Sequence, residues 1–163
     1  KNIDNFFGWI KGAKLVELKE CNTQEDPVRP ELDNNFRTGY GRKIYGVEYL
    51  GEIHAVMCFA YTNKIPKSVD ELEKLSTDAF LQSAMRDQSG GQIAIAYTVW
   101  SKKKGGGKLI VKEVFKKIKK SNHLNRLVTL SPLTDMATKF HTRNGAKLIQ
   151  INEKIQNFEY KVI

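Results

Sequence analysis

The chain has 163 residues, 40% of them apolar and 28% charged, and a formal net charge of +9. That length fits one domain over 1–163 and lets a fold bury about 70% of its unfolded surface. No apolar run approaches the roughly 20 residues that cross a bilayer, and no signal-peptide pattern opens the chain. Two cysteines, Cys21 and Cys58, make neither a disulfide framework nor a metal-binding spacing, so the expectation is a reducing, cytoplasmic setting, no metal and no membrane.

Asp4 to Ile10 reads as a short helix or turn, and Ala13 to Leu18 as a first strand. Cys21 to Gly41 is polar and rich in turn residues, and reads as a long loop with one helical turn. Lys43 to Tyr49 and Glu52 to Tyr61 read as a hairpin across Leu50-Gly51. On the second strand Ile53, Ala55, Met57 and Phe59 alternate with His54, Val56, Cys58 and Ala60. Both sets are largely apolar, which predicts a central strand covered on both faces, with Cys58 simply packing. Ser68, with Glu71 three residues on, forms a capping box for a helix to Leu75 or beyond. Asp78 to Arg86 carries a less regular helical pattern that Ser89-Gly90-Gly91 stops.

Ile93 to Trp100 reads as a buried strand. It leads into Lys102-Lys103-Lys104-Gly105-Gly106-Gly107, and then into an amphipathic helix over Lys108 to Lys120. In that helix Val111, Val114, Phe115 and Ile118 recur at i, i+3, i+4 and i+7. Arg126 to Leu130 is a short buried strand stopped by Ser131-Pro132. Asp135 to His141 is a short helix ended by Asn144-Gly145, and Ala146 to Ile151 and Phe158 to Val162 are the last strands. The order gives a mixed α/β fold with one crossover helix leaving the glycine turn.

The charge is concentrated. Ser101 to Lys120 holds nine lysines and one acid, a net +8, against +1 for the other 143 residues. A glycine-rich turn that opens a helix leaves backbone N–H groups unshielded at the positive end of the helix dipole, where phosphates are held. The same turn also reads as an ordinary surface loop with solvated lysines. A compact polyanion suits one basic turn and helix better than a long nucleic acid does, since nucleic-acid binders spread basic surface over several elements.

Lys102-x-x-Gly105-x-Gly107 after a buried strand resembles the pyrophosphate loop of the GNAT superfamily of acyltransferases. The resemblance implies a mostly antiparallel central sheet of six or seven strands with helices on both faces. It also implies coenzyme A binding by Val99, Lys102, Lys103, Lys104, Gly105, Gly106, Gly107 and Lys108. Further segments resemble the catalytic domain of malonyl-CoA decarboxylase: Ile93 to Thr98, Leu109 to Val114, Thr129-Leu130-Ser131-Pro132, Phe140-His141-Thr142-Arg143-Asn144-Gly145-Ala146, and Lys64-Ile65-Pro66-Lys67-Ser68 upstream. Together they cover about residues 43–163. That family's catalytic serine and histidine map onto Ser131 and His141; its long insert between the two segments is absent here.

Decarboxylation of a malonyl thioester needs a desolvated carboxylate, donors for the enolate and a proton source, which a hydroxyl and an imidazole supply. The residues leave alternatives open. Ser131 also reads as a turn cap and His141 as a half-buried helix residue. His141 equally suits an acetyl-CoA-dependent N-acetyltransferase with an amine acceptor, for which Glu48 and Glu52 are base candidates. A basic nucleic-acid-binding module is a lesser alternative. His54 reads as a packed strand residue, His123 as a loop residue, and Trp9, Trp100 and Tyr97 as core or cleft lining.

Overall fold

A computed structural model describes residues 9, 11–83 and 90–161. The helix or turn expected over Asp4 to Ile10 lies, apart from Trp9, outside these residues, as do residues 84–89. Strand β1 (Lys14–Leu18) is followed by a 3-10 turn (Thr23–Glu25) and the short helix α1 (Asn34–Thr38). Strands β2 (Lys43–Tyr49) and β3 (Glu52–Thr62) form the expected hairpin. Helix α2 (Val69–Gln82) joins the two helical patterns of the sequence into one element. Its cap is the predicted one: Ser68 Oγ accepts from Glu71 N, and Glu71 Oε1 reaches back to Lys67 N. Then come β4 (Ile93–Ser101), α3 (Gly106–Lys119), β5 (Arg126–Thr129), β6 (Ser131–Pro132), α4 (Asp135–Arg143), β7 (Lys147–Ile151) and β8 (Ile155–Tyr160).

The strands form one sheet in the order β1-β2-β3-β4-β5-β8-β6, with β7 also paired to β8. It holds eight strands rather than six or seven, because Ser131-Pro132 pairs separately with Gln156 and Ile155. The last strand also starts earlier than the apolar pattern indicated. Among the described residues all pairings are antiparallel except β4 with β5, the two strands joined by the α3 crossover.

Two apolar cores sandwich this sheet. One packs Leu109, Ile110, Val111, Val114 and Ile118 of α3 on Ala55, Met57 and Phe59 of β3 and Ala94 and Ala96 of β4. The other packs Leu72 of α2, with Phe36 of α1 beside it, on Val56, Cys58, Ala60, Ile93 and Ile95. Helices thus cover both faces, as the two apolar sets on β3 require. The alternation on β3 departs from the sequence pattern at one place. The register skips His54 between Ala55 and Ile53, so the His54 ring turns to Trp9 while Ile53 joins the α2 core.

A second bulge positions the site. Cys58 faces Thr98 and Phe59 faces Ala96, so Tyr97 is an extra residue on β4. Ile93, Ile95 and Tyr97 face α2, but beyond the bulge Val99 faces α3 and Trp100 faces α2. The β4–β5 pairing ends at the same point, Ala96 with Thr129, so beyond it the two strands are no longer paired. On the α2 side the long loop is fastened to β4 at this point. Arg29 Nη1 donates to Tyr97 O, and Thr98 Oγ1 donates to Asp26 Oδ1 at 2.9 Å. Asp26 is paired at 3.0 Å with Arg37, which is fully buried and also donates to the Leu32 and Arg29 carbonyls. A charge so deep is tolerated because every face of the guanidinium finds an acceptor.

Candidate active site

The glycine turn closes β4 and opens α3. Lys102 N donates to His54 O at 2.7 Å, and Ser101 Oγ donates to Lys103 O at 2.6 Å, which fastens the turn to β3. Gly105 has φ +84°, a conformation that a Cβ would strain. A Cβ on Gly106 would overlap Ser101 Oγ, so this second glycine is dictated by close approach. Gly107 lies against the Phe140 ring of α4, where a Cβ would be 2.9 Å from Cε1.

No side chain caps α3. Gly106 N is occupied by Lys103 O at 2.9 Å, but the Gly107 and Lys108 amides find no acceptor among the described residues. Two orphan donors therefore lie at the positive end of a 14-residue helix.

The lysines divide. Lys102 Nζ is paired with Glu25 Oε2 at 2.8 Å. Lys103 Nζ lies 5.4 Å from the Trp9 ring centroid and 5.9 Å from that of Tyr49. Lys104 and Lys108 make no ion pair among the described residues, and they remain the cations available beside the amides. Val99 is half-buried on the same face of the sheet as α3.

Ser131 and His141 lie on that same face. On β5 the side chains alternate, Leu127 toward α3 and Val128 toward α2. This sends Thr129 and Ser131 to the α3 side, where their hydroxyls are 2.7 Å apart. Ser131 is buried at 3% exposure, and Thr129 Oγ1 is anchored by Phe158 N at 3.0 Å. His141 is buried in α4 among the rings of Phe140, Phe158 and Tyr160, with Nδ1 2.7 Å from Tyr160 Oη. Burial pushes the imidazole down to about 4 and the Tyr160 phenol well up, so both are neutral at physiological pH. A neutral phenol and a neutral imidazole therefore share this hydrogen bond, and each of the two groups can donate or accept in it.

The two residues share no hydrogen bond among the described residues, but one brace ties their elements together. Gln156 of β8, paired with Ser131, donates from Nε2 to Pro132 O and to Thr138 Oγ1 of α4, both at 3.0 Å. Asn157, fully buried, donates to Thr129 O and Pro66 O, fixing the carboxyl end of β5.

Thr129, Gln156 and Tyr160 were not singled out in the sequence. A signal for Thr129 existed, since it precedes Ser131 by two positions on one strand and must share its face. Nothing in the sequence pairs Tyr160 with His141. Of the other candidates, Glu48 lies 3.8 Å from Lys14 Nζ, and Glu52 is exposed at the hairpin. The His54 ring packs on Trp9 and Tyr49, and His123 lies in the loop after α3, 3.3 Å from Ser121 Oγ. No described helix is long and apolar enough to cross a membrane.

No protein-family model and no curated protein matches the chain. Solved structures do. A GNAT-like decarboxylase, GphF, in complex with isobutyryl-CoA superimposes with a TM-score of 0.71 at 10% identity, covering 92% of this chain and 100% of that one. Malonyl-CoA decarboxylase from Agrobacterium vitis gives 0.61 at 17% identity over 83% of this chain. This chain spans only 38% of that decarboxylase's length. A Bacillus subtilis acetyltransferase in complex with CoA gives 0.58 at 12% identity, covering 93% and 99%. The fold is therefore the one that these GNAT-like decarboxylase, malonyl-CoA decarboxylase and acetyltransferase structures share.

Proposed function

We propose that the chain, as one GNAT-like domain over 1–163, binds an acyl-coenzyme A and decarboxylates a malonyl thioester. The diphosphate lies on the Gly107 and Lys108 amides at the start of α3, with Lys104 and Lys108 as counter-charges; Gly105 and Gly106 shape the turn. The pantetheine arm enters where the β4–β5 pairing ends, along Val99. In this reading Lys102 and Lys103 act indirectly, by holding the turn against Glu25 and Trp9.

The observation that carries the reaction is the neutrality of the side chains gathered beside Ser131 and His141. The Thr129–Ser131 hydroxyl pair and the uncharged His141–Tyr160 pair bring donors but no carboxylate to the α3 side of the sheet. A malonyl carboxylate entering such surroundings loses hydration, which favours its departure as carbon dioxide. The electron pair of the breaking C–C bond passes to the thioester as an enolate. Ser131 O–H and the His141 N–H stabilise its oxygen. Water then supplies the proton that replaces carbon dioxide on the α-carbon.

A histidine whose conjugate acid ionises near 4 is a poor base for an ammonium acceptor, which weighs against amine acetylation through His141. Acetyl transfer remains the second reading because of a cavity of about 510 Å³ that reaches Lys102 and is lined by Glu20, Glu25 and His54. An amine fits that lining.

Incubation with malonyl-CoA alone tests the reading. Acetyl-CoA and carbon dioxide should appear without an added amine, and Ser131→Ala should remove turnover but leave coenzyme A binding intact. Coenzyme A at 100 times its Kd should add about 2.7 kcal/mol of stability to both proteins. Thiol release from acetyl-CoA that requires an amine, with malonyl-CoA left intact, would replace the first reading by the second.

A further inference from the structure

The far end of α3 carries a cavity that the proposed reaction does not use. Its volume is about 400 Å³, and it lies between the last turns of α3, the loop that follows, and the outer half of the β2–β3 hairpin. Tyr45, Phe59 and Tyr61 form its floor, with Tyr45 and Phe59 edge to face at 5.9 Å and Phe59 and Tyr61 stacked at 6.5 Å. All three rings are at least nine-tenths buried within the fold, so the floor is rigid. Lys43, Lys117 and Lys120 form the rim, and among the described residues no aspartate or glutamate lines the cavity.

The charges around it are specific. Lys43 is 3.3 Å from Glu17 and is thereby partly neutralised. Lys117 Nζ sits 5.6 Å from the Tyr45 ring centroid, and Lys120 has no ion pair among the described residues. The single acid of α3, Glu113, is paired with Lys116. Two cations thus overhang an aromatic floor with no counter-charge of their own.

We propose that this cavity is a second ligand site, for a small aromatic carboxylate. The ring of the ligand lies against Tyr45, Phe59 and Tyr61, and its carboxylate meets Lys117 and Lys120. A neutral apolar ligand would use the floor but leave the lysines unanswered; a larger polyanion would find too little room. The site is separate from the glycine turn, since 14 helical residues at 1.5 Å each put the two ends of α3 about 20 Å apart.

Calorimetric titration of the full chain with 2-naphthoate, against its uncharged amide as control, tests this. The expected result is one-to-one binding of the carboxylate, at least about fivefold tighter than the amide. The double substitution Lys117→Ala, Lys120→Ala should weaken it by about fivefold for each charge removed, the weight of a unit charge near 4 Å in a solvated rim. Both lysines are exposed, so the variant should keep the wild-type circular dichroism. Saturating coenzyme A should leave the naphthoate affinity unchanged. Absence of binding at millimolar naphthoate, equal affinity for the amide, an unaltered Kd in the double variant, or competition with coenzyme A would each overturn the proposal.

Discussion

The clearest quantitative consequence concerns His141 and acid. Its folded-state pKa is lowered to about 4 by burial, against about 6.5 for a free imidazole. Between those values the unfolded chain binds a proton that the folded chain refuses. Stability is therefore complete above pH 6.5 and falls as pH drops toward 4, after which the loss is constant. A displacement of about 2.5 units at 1.36 kcal/mol each gives close to 3 kcal/mol between pH 7 and pH 4. Carboxylates also titrate in this range, so the wild type alone does not isolate the effect. His141→Gln removes the titration while keeping a polar partner for Tyr160, and the carboxylate contribution cancels in the difference. Urea unfolding of both proteins at pH 7, 6, 5 and 4 should show the wild type losing about 3 kcal/mol relative to the variant. A difference that stays flat from pH 7 to 4 would refute the argument. So would a His141 ring titrating near 6.5 by NMR, because either means that the imidazole is hydrated or paired in a way the packing of Phe140, Phe158 and Tyr160 excludes.

Gly106→Ala should displace the turn, since the new methyl overlaps Ser101 Oγ, and should cost about 1–3 kcal/mol in thermal or chemical unfolding. Coenzyme A affinity, read by calorimetry, should fall at least about tenfold with it, as the amides lose their alignment. Arg37→Leu leaves Asp26 buried without its cation and should destabilise by about 3–5 kcal/mol; urea denaturation with an unchanged midpoint would contradict the pairing. Lys104→Ala and Lys108→Ala should each weaken coenzyme A by about fivefold at low salt, and less at high salt. Lys102→Ala should matter less, because that lysine already answers Glu25; the reverse ranking in a fluorescence titration would reassign the phosphate contacts.

Much of the fold was legible because its signals are local. The Ser68 cap, the i, i+3, i+4, i+7 stripe of α3, the Asn144-Gly145 stop and the two apolar faces of β3 each follow from neighbours within a few residues, and the structure has all of them. The glycines of the turn were also readable as a helix opening. That Gly105 takes a positive φ while Gly106 yields to Ser101 depends on how β4 approaches β3.

The loop from Cys21 to Gly41 shows where local reading stops. Its polar, turn-rich composition describes a solvent-facing connection, yet Asp26, Arg29 and Arg37 are buried, and the loop is fastened to β4 where that strand leaves β5. Composition cannot reveal that, because two of the contacts that fasten the loop, Arg29 to Tyr97 O and Thr98 Oγ1 to Asp26, join positions some 70 residues apart. The bulge at Tyr97 is equally silent in the sequence. It arises from the register between β3 and β4, and it decides that Val99 rather than Thr98 faces α3.

The candidate site divides the same way. Residue types and their order determined that a basic glycine turn follows a buried strand, that Ser131 ends another, and that His141 closes a short helix. Only the tertiary structure put Ser131 and His141 on one face of the sheet, gave each a separate partner, and freed Lys104 and Lys108 while engaging Lys102 and Lys103. The physical reason is range. Periodicity and capping act over one or two turns of chain. Strand pairing, burial and the pKa of a ring are set by atoms that folding brings from distant positions.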